Sequence, residues 1–393
     1  MPKKTKTQTV QIKTQCAPDP CLDGISTPQD IQAKIAQVRN VQNSYRDASL
    51  YQRAWNPKHT KECHSSVSKH SLKFLQFNML AQGLSVGPPS QVPPPFDPSL
   101  NRIDSAKTLY GGFTSLPNPE IVLDFDLRQW RLMEVLLEDD FDILTIEEID
   151  RFYGFFEPLM KIMGYEGIFI PKPCSPCVQS GWYSDGCALF WKKDKLELLH
   201  ADNEVYTVGN QVYVIATMRH TATDRILIVA MTHLKAGKNI TNELLRRSQV
   251  EELLNLLEAK AKSLGNGENE IPVILAGDFN SDPGEEKSCI RDIISKDSIY
   301  RMKSAYDLDN VECGDSSLSN SKPAMFTTWK TRGESTVKRT IDYIFHNEGI
   351  AKGFNCSHTL QIPDEKDIEE TRLPGFKYPS DHIAVGAKFE LEG

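Results

Sequence analysis

Acidic, amide and imidazole side chains follow several short apolar segments of this chain. The pairs are Asn78 after Phe77, Glu148 after Ile146, His233 after Met231, and Asp278 with Asn280 after Ala276. Strands hold such residues rigidly where they protrude at one rim of a sheet, so these positions favour a common site. Carboxylates bind hard divalent cations, and amides stabilise phosphoryl oxygens. The pattern therefore predicts a metal-assisted site for phosphoester hydrolysis.

Asp278 and Asn280 are separated by one residue in Gly277-Asp278-Phe279-Asn280. Strand alternation would send both side chains to the same side and turn Phe279 into the packing. A carboxylate and an amide in one pocket can orient and deprotonate water and stabilise a phosphoryl oxygen. Glu148 would then bind the metal, and magnesium suits a carboxylate ligand of this kind.

The segments Ser380-Asp381-His382 and Thr340-Ile341-Asp342-Tyr343 supply the remaining polar groups. His382 can donate to a phosphate oxygen, and Asp342 would hold its imidazole in one tautomer and favour the charged form. Asp381 is expected to reach the metal. Each of these residues alone is more often a turn former than a catalytic group, so their joint occurrence carries the prediction.

The elements that position these residues begin at Leu72, where short apolar runs start to alternate with amphipathic helices and polar loops. This pattern is typical of a layered α/β or α+β domain, which we expect over residues 71–393. Two of its helices are predicted near residues 127–137 and 243–264. The predicted strands are residues 72–77, 142–146, 188–191, 212–218, 226–231, 272–276 and 340–345.

Two segments are expected outside the core. Residues 1–70 lack strand-like apolar runs and are rich in polar residues, which predicts a largely flexible N-terminal extension. One helix is expected there, because Thr27 and Pro28 form a start signal before Ile31; it could pack on the domain or stand alone. The proline-dense residues 85–99 predict a surface loop, with a polyproline ligand as the alternative.

The 393 residues carry a formal net charge of -8. This balance argues against a long nucleic acid as partner and suits a small phosphorylated substrate. No apolar run reaches the roughly 18 residues of a membrane span, so no membrane partner is expected. The nine scattered cysteines indicate free thiols in a reducing compartment. A monomer in the cytoplasm is expected, and the basic first fifteen residues make the mitochondrion the alternative.

Taken as an ordered series, the motifs resemble the endonuclease/exonuclease/phosphatase superfamily over about residues 72–390. The series is Gln76-Phe77-Asn78, Ile146-Glu147-Glu148, Thr232-His233-Leu234, Gly277-Asp278-Phe279-Asn280, Ile341-Asp342-Tyr343 and Ser380-Asp381-His382. The resemblance implies an α/β fold, a four-layer α/β sandwich with two central mixed β-sheets flanked by helices. It also implies a magnesium-dependent site at one rim, with manganese as the alternative ion.

The same resemblance assigns a role to each residue of the series. Glu148 would be the main metal ligand, with Asn78 as its neighbour. Asp278 would be the base, and Asn280 and His233 would bind the phosphate. Asp342 and His382 would form the pair that orients the imidazole. All of these residues are present, which disfavours a catalytically silent binding module.

A narrower resemblance points to the carbon-catabolite-repressor-type deadenylase branch. It is carried by residues 78–82, 171–173, 175–177, 185–190, 232–236, 327–330 and 378–382. One group of the branch has all of these segments and removes the 2'-phosphate of NADP and NADPH. The resemblance therefore implies that this chain converts NADP(H) to NAD(H). Other members are 3'-exoribonucleases that shorten poly(A), and this activity is the alternative.

Substrate-binding cations are expected at Lys172, Lys235, Lys238 and Arg332. Arginine and lysine bind phosphates through charge-assisted hydrogen bonds. Lys172 and Arg332 resemble substrate-binding cations of that group. A solvated surface charge is the alternative for either.

The chain departs from that group at two positions. Gly237 stands where the group has an arginine, and Lys238 or an arginine of the following helix is the expected replacement. Glu147 stands where the family usually has glutamine before the metal-binding glutamate. Strand alternation predicts that Glu147 points away from the metal face.

Overall fold

Two β-sheets packed face to face form the centre of the molecule in a computed structural model. The structure describes residues 12–14, 17–58, 69–85, 110–113, 115–179, 181–264, 271–283, 290–297, 302–306, 325–347 and 353–392. The predicted loop over residues 85–99 lies outside these ranges, except for Ser85. In the described part of the chain the strands are β1 Trp55–Pro57, β2 Lys69–Asn78, β3 Ile143–Ile149, β4 Tyr165–Pro171, β5 Gly186–Lys192, β6 Leu196–Val205, β7 Val212–His220, β8 Ile226–His233, β9 Val273–Asp278, β10 Lys303–Ser304, β11 Thr328–Arg332, β12 Ser335–Arg339, β13 Asp342–His346, β14 Phe354–Leu360 and β15 Val385–Glu392.

Helices cover the outer faces of the two sheets. The α-helices among the described residues are α1 Pro28–Asn43, α2 Gln82–Ser85, α3 Pro119–Val122, α4 Phe125–Leu136, α5 Glu157–Ile162, α6 Pro176–Gln179, α7 Ile240–Ser263 and α8 Ile290–Asp292. Short 3-10 turns cover Pro20–Leu22 and Glu365–Asp367, and π turns cover Phe152–Phe156 and Ile293–Asp297. The long helix α7 starts where Asn239 Oδ1 accepts a 2.9 Å hydrogen bond from the Asn242 amide, a side-chain cap that satisfies a free donor.

Both sheets are mixed. One has the order β1-β14-β15-β2-β3-β5-β4, in which β2 and β3 run parallel. The other has the order β10-β13-β9-β8-β7-β6, in which β8 and β9 run parallel, and β11 and β12 form a separate hairpin. The predicted four-layer sandwich is confirmed, as are the predicted strands and the two predicted helices.

The alternation of β2 shows why the sheets pack as inner layers. Phe74 faces the core between the two sheets, whereas Leu75 and Phe77 face the core under the helices. Successive side chains of a strand point to opposite faces, so a central strand of a sandwich is apolar on both. The second sheet is covered in the same way by α7, with Val250 and Leu253 fully buried.

Part of the N-terminal extension packs on this domain. The predicted helix is confirmed as α1, which begins with a capping box between Thr27 and Asp30 and buries Ile31 and Ile35 in the helix-side core. β1 pairs with β14 at the sheet edge. The expectation that residues 1–70 lie largely outside the core is therefore wrong for residues 20–57. A single apolar helix face and a three-residue edge strand stabilise this segment without any strand-like run in the sequence.

The topology brings the polar strand ends to one rim. The carboxyl ends of the parallel strands β2, β3, β8 and β9 meet there, and β13 and β15 run antiparallel to β9 and β2. The amino end of β13 therefore reaches the same rim, where Asp342 pairs in register with Asp278. None of the helices in the described ranges is long and apolar enough to cross a membrane.

Candidate active site

A β-bulge at the end of β3 lies between the environments of two consecutive acids, Glu147 and Glu148. The register of β3 against β5 shifts after Glu147, and Glu148 has a left-handed backbone with a φ of 55°. A bulge breaks the strict alternation of side chains. Glu147 precedes the break, so it shares the inter-sheet face of β3 with Ile143 and is buried beneath the site, where its Oε2 accepts a 2.7 Å hydrogen bond from Gln76 Nε2. The prediction that Glu147 points away from the metal face is wrong.

Gln76 links Glu147 to the acids of the site. Its Nε2 also lies 3.2 Å from Asp342 Oδ1. Burial, reinforced by the charges of Asp342 and Asp278, raises the pKa of Glu147 well above its ordinary value. A neutral carboxyl group has nearly the shape of a carboxamide, so glutamate at this position can replace the glutamine that the family resemblance predicts.

Asn78 connects the predicted metal ligand with the predicted base. Its Nδ2 donates to Glu148 Oε1 at 3.2 Å and to Asp278 Oδ2 at 3.0 Å. Its own Oδ1 accepts from the Leu80 amide at 3.1 Å, which fixes the orientation of the side chain. The structure thus brings Asn78, Glu148 and Asp278 into one contact group.

His382 and Asp342 form a buried acid–base pair beside Asp278. His382 Nδ1 lies 2.9 Å from Asp342 Oδ2 and 4.0 Å from Asp278 Oδ2. Burial alone would lower the pKa of His382, but Asp342 and then Asp381 raise it to about 9. Burial and Asp342 also raise the pKa of Asp278 to about 6, against the opposing charge of His382. At neutral pH the site therefore holds a charged proton donor next to an ionised acceptor.

Two overlapping sets of residues offer ligands for a divalent cation. Asp278, Asp342 and His382 have ligand atoms within 4.8 Å of one another. In that set, His382 and Asp342 are already hydrogen-bonded to each other. The positive charge of the His382 imidazolium would also repel a cation. Glu148 and Asp278 instead present carboxylate oxygens joined through Asn78, and the Glu148 side chain is 14% exposed towards the rim. This donor chemistry fits a hard divalent ion at Glu148, beside Asp278.

His233 lies between the acids and a buried lysine. Lys172 Nζ is 3.2 Å from His233 Nδ1 and 2.7 Å from Asp185 Oδ2. An ammonium group can only donate, so Nδ1 accepts and the proton resides on Nε2. That Nε2 is 3.6 Å from Asp278 Oδ2 and 4.0 Å from Glu148 Oε1. Burial, and then the charge of Lys172, hold the pKa of His233 well below its usual range, so it is a neutral donor.

Lys172 is therefore placed differently from a solvent-facing substrate clamp. It is 7% exposed, and Asp185 and His233 both bind its ammonium group. Its first effect is to set the tautomer of His233, and its charge adds to the anion-attracting potential of the pocket.

The strand β11 brings two cations to Asp381. Lys330 Nζ and Arg332 Nη2 lie 2.6 Å and 3.1 Å from Asp381 Oδ2, and Lys330 Nζ is 3.4 Å from His382 Nε2. Although burial opposes it, the charges of Lys330, His382 and Arg332 hold the pKa of Asp381 well below its usual range. Within the described ranges Asp381 Oδ1 has no hydrogen-bond partner. Asp381, expected to reach the metal, thus has one oxygen engaged by cations and one open to the site.

Sequence reasoning missed Lys330 as a functional residue. It lies two positions before Arg332 on a strand, and residues i and i+2 share a face. That spacing could have indicated it once Arg332 was assigned.

The loop between β8 and α7 takes an unexpected course. Gly237 has a φ of 107°, and a Cβ there would lie 2.4 Å from Asn242 Nδ2, so a side chain would be strained. Arg246 donates to the carbonyl oxygens of Lys235 and Gly237 at 2.9 Å and 2.8 Å. The expected replacement of the missing arginine by one from α7 is wrong for Arg246, because it is fully buried under the loop. Lys235 is half-buried, and Lys238 is exposed.

Asn280 reaches the site through a turn. β9 ends at Asp278, and Asn280 has a left-handed φ of 51°. Its amide donates to Asp278 Oδ1 at 2.9 Å, and its Nδ2 donates to the carbonyl oxygen of Leu234 at 3.1 Å. The predicted burial of Phe279 is confirmed, but a turn rather than strand alternation orients Asn280.

Two mixed sheets with carboxylates, amides and paired imidazoles at one rim define a phosphoesterase of the metal-assisted class. A family model described as the Endonuclease/Exonuclease/phosphatase family matches residues 76–382, and the chain belongs to this family. Within the family it is of the nocturnin type, as the following relatives indicate.

Nocturnin of Drosophila melanogaster is 31% identical over 351 residues, which cover 84% of this chain and 48% of that protein. The chain thus spans about half the length of that relative. A solved structure of the human nocturnin catalytic domain with a bound sulfate anion is 26% identical and covers 86% of this chain and 96% of that one, with a TM-score of 0.59. The CCR4-Not complex 3'-5'-exoribonuclease subunit Ccr4 of Kluyveromyces lactis is 25% identical over 70% of this chain and 38% of that protein.

The pKa values of the acid–base pair predict a bell-shaped pH dependence. Asp278 accepts a proton when ionised, so kcat/KM should rise as pH increases through about 6. His382 donates when charged, so kcat/KM should fall again as pH passes about 9. Initial rates from about pH 5 to about pH 10 would test this, and a flat profile over that range would contradict these roles.

Replacing Lys330 by methionine should weaken binding of a phosphorylated substrate. A hydrogen bond to a charged group contributes about 1.5–3 kcal/mol, so we expect KM to rise by about tenfold to a hundredfold. Lys338→Met is a matched control, because Lys338 lies on the paired strand β12, where it binds Glu365 and stacks on Trp329. Steady-state kinetics should show a raised KM for Lys330→Met and an ordinary KM for Lys338→Met; equal effects would remove Lys330 from the site.

Proposed function

We propose that this chain is a magnesium-dependent phosphatase that removes the 2'-phosphate of NADP(H) and releases NAD(H). The observation that carries the proposal is a compact set of cations around buried acids. Lys330 and Arg332 lie on the His382 side, and Lys172 lies behind His233 on the other side. Such an arrangement suits one terminal phosphate dianion, which charge-assisted hydrogen bonds recognise.

The donor set at the rim supports a divalent cation as cofactor. Glu148 offers carboxylate oxygens next to Asn78, and Asp381 Oδ1 is a buried oxygen without a hydrogen-bond partner among the described residues. Magnesium prefers one or two carboxylates together with substrate oxygens. When bound, the ion would polarise the phosphoryl group and stabilise its developing negative charge.

The side chains of the pocket suit hydrolysis by water. Asp278 accepts the proton of the attacking water, because its pKa lies below neutral pH while it remains basic enough to do so. His233 Nε2 donates to a phosphoryl oxygen as a neutral imidazole. His382, charged and held by Asp342, donates a proton to the departing ester oxygen.

The solved structure of the human nocturnin catalytic domain holds a bound sulfate anion, so a domain of this kind binds an anion of that shape. Sulfate and phosphate are both tetrahedral anions. A phosphomonoester likewise presents its terminal oxygens at tetrahedral angles. The net charge of -8 also favours a small substrate over a long polyanion. The choice of NADP(H) within this class rests on the resemblance of the segments at residues 171–173, 232–236 and 327–330.

A poly(A) 3'-exonuclease is the second candidate. The similarity to Ccr4 of Kluyveromyces lactis, named as a 3'-5'-exoribonuclease subunit, favours it. Such an enzyme requires a track of basic and aromatic side chains for several nucleotides. Lys330 and Arg332 instead meet at Asp381, beside His382, and Lys172 lies behind His233.

A direct comparison of substrates tests the proposal. The purified 393-residue protein with magnesium would be offered NADPH and poly(A) in parallel, with free phosphate and RNA length measured in the same samples. We expect phosphate from NADPH and intact RNA. Shortened RNA without phosphate would establish the second candidate, and inactivity on both substrates at the level of Glu148→Ala would refute catalysis.

A further inference from the structure

Arg128 is a fully buried cation on α4 that contacts two segments of the active site. Its Nη1 donates to the carbonyl oxygens of Met79 at 3.1 Å and Pro379 at 3.2 Å. Its Nη2 donates to the carbonyl oxygen of Leu80 at 2.8 Å and to Ser85 Oγ at 2.9 Å. A guanidinium serves acceptors in fixed directions because its donors form a rigid planar fork.

Both segments carry residues of the site. Asn78 stands at the start of the first, and its Oδ1 accepts from the Leu80 amide. In the second, Ser380 Oγ donates to the carbonyl oxygen of Asn78 at 2.7 Å and accepts from the His382 amide at 3.1 Å. A movement of one segment against the other therefore changes the separation of Asn78 and His382.

The charge of Arg128 also lies under the acids of the site. Among the residues that the structure describes, it forms no ion pair with a carboxylate. Burial lowers its pKa to about 10, against the raising effects of Asp150, Asp381 and Glu148, so it stays charged at neutral pH. A buried cation without a paired carboxylate is costly, but this one reduces the mutual repulsion of the acids above it.

Arg131 provides an internal comparison, because it lies one turn further along α4 and is 1% exposed. It donates to the carboxylate of Glu134 and to the carbonyl oxygens of Ala48 and Phe376. None of these groups belongs to a residue of the site. Of the two arginines, Arg128 is the one that joins segments carrying catalytic side chains.

We propose that Arg128 is a positioning residue, which holds Asn78 and His382 at the separation that the reaction requires. The role rests on the proposed hydrolysis at this site, but not on the identity of the substrate. Arg128 acts through backbone carbonyl oxygens and touches no reacting atom. A displacement of about 1 Å in a catalytic constellation can reduce the rate by about a hundredfold.

The test compares Arg128→Lys with Arg131→Lys in the full chain. Lysine keeps the charge but loses the fork, so it cannot serve the same four acceptors. For Arg128→Lys we expect kcat on NADPH to fall by about a hundredfold with little change in KM, and magnesium affinity by calorimetry to fall by about tenfold. Arg131→Lys should show a comparable loss of thermal stability with nearly normal kcat and magnesium affinity.

Equal changes of kcat and magnesium affinity in the two variants would overturn the proposal, as would a change of Arg128→Lys confined to KM. If wild-type protein does not hydrolyse NADPH, the proposed function fails, and the magnesium titration of the same pair still decides the role of Arg128. If Arg128→Lys does not fold, Ser85→Ala removes one acceptor and leaves the cation in place. We expect this variant to lose about threefold to tenfold in kcat with a modest fall in melting temperature, and a normal kcat would overturn the proposal.

Discussion

Glu148→Gln should abolish metal-supported turnover while the protein stays folded. A catalytic divalent ion contributes several kcal/mol to stabilisation of the transition state, and each 1.36 kcal/mol is a factor of ten, so we expect kcat to fall by about three orders of magnitude. Glutamine retains the shape of the side chain but removes the charge that attracts the cation. Its amide also meets Asn78 Nδ2, so two donors would face each other unless the side chain turns.

Phosphate release from NADPH, magnesium titration by calorimetry and thermal unfolding measure these effects. Glu157→Gln is a suitable control, because Glu157 pairs with Lys161 on α5 and contributes nothing to the site described above. Glu148→Gln should bind magnesium far more weakly at a melting temperature close to that of the wild type. Normal turnover in this variant would remove Glu148 from the metal site.

His382→Gln should have the second largest effect. A positioned general acid contributes about a hundredfold to ten-thousandfold to the rate, and His382 also supplies the charge opposite Asp278. Its loss should lower kcat by about that factor and remove the basic limb of the pH profile near 9. Folding should be retained, because glutamine can still donate to Asp342.

Asp342→Asn removes the negative charge of the His382–Asp342 pair and keeps its hydrogen-bond geometry. An asparagine oxygen can accept from His382 Nδ1, but the charge that raises the pKa of His382 is gone. The basic limb should therefore move to lower pH, and kcat at neutral pH should fall. An unmoved limb would show that another group titrates there.

The strands that carry the site could be predicted from the sequence because their signal is local. The strand β9 is a continuous apolar run that ends in a polar residue, and β2 carries apolar residues on both faces before it ends at Asn78, so the order of these ends is visible along the chain. The helix α7 could be predicted for the same reason, from apolar residues at helical spacing.

The segment over residues 20–57 could not be placed from the sequence. β1 has three residues and pairs with β14, which lies some 300 positions away in the chain. Tyr51 stacks on Tyr378 with ring centroids 5.9 Å apart. Such contacts stabilise a short strand or loop only through a segment that is distant in the sequence. Local composition does not reveal which distant segment that is.

The sequence by itself indicated most of the acidic, amide and imidazole residues that meet at the rim, because their types, their order and their positions after apolar runs are properties of the chain; it did not indicate Lys330. Only the tertiary structure decided how these residues face one another. Glu147 lies beneath the site against Gln76, the bulge follows it at Glu148, and Asp185 and His233 bind Lys172. The strand β11 places Lys330 beside Asp381. Arg246 is buried under the loop that it binds and lies away from the rim. The physical reason is that side-chain orientation and charge pairing depend on bulges, turns and distant neighbours, which periodicity does not encode.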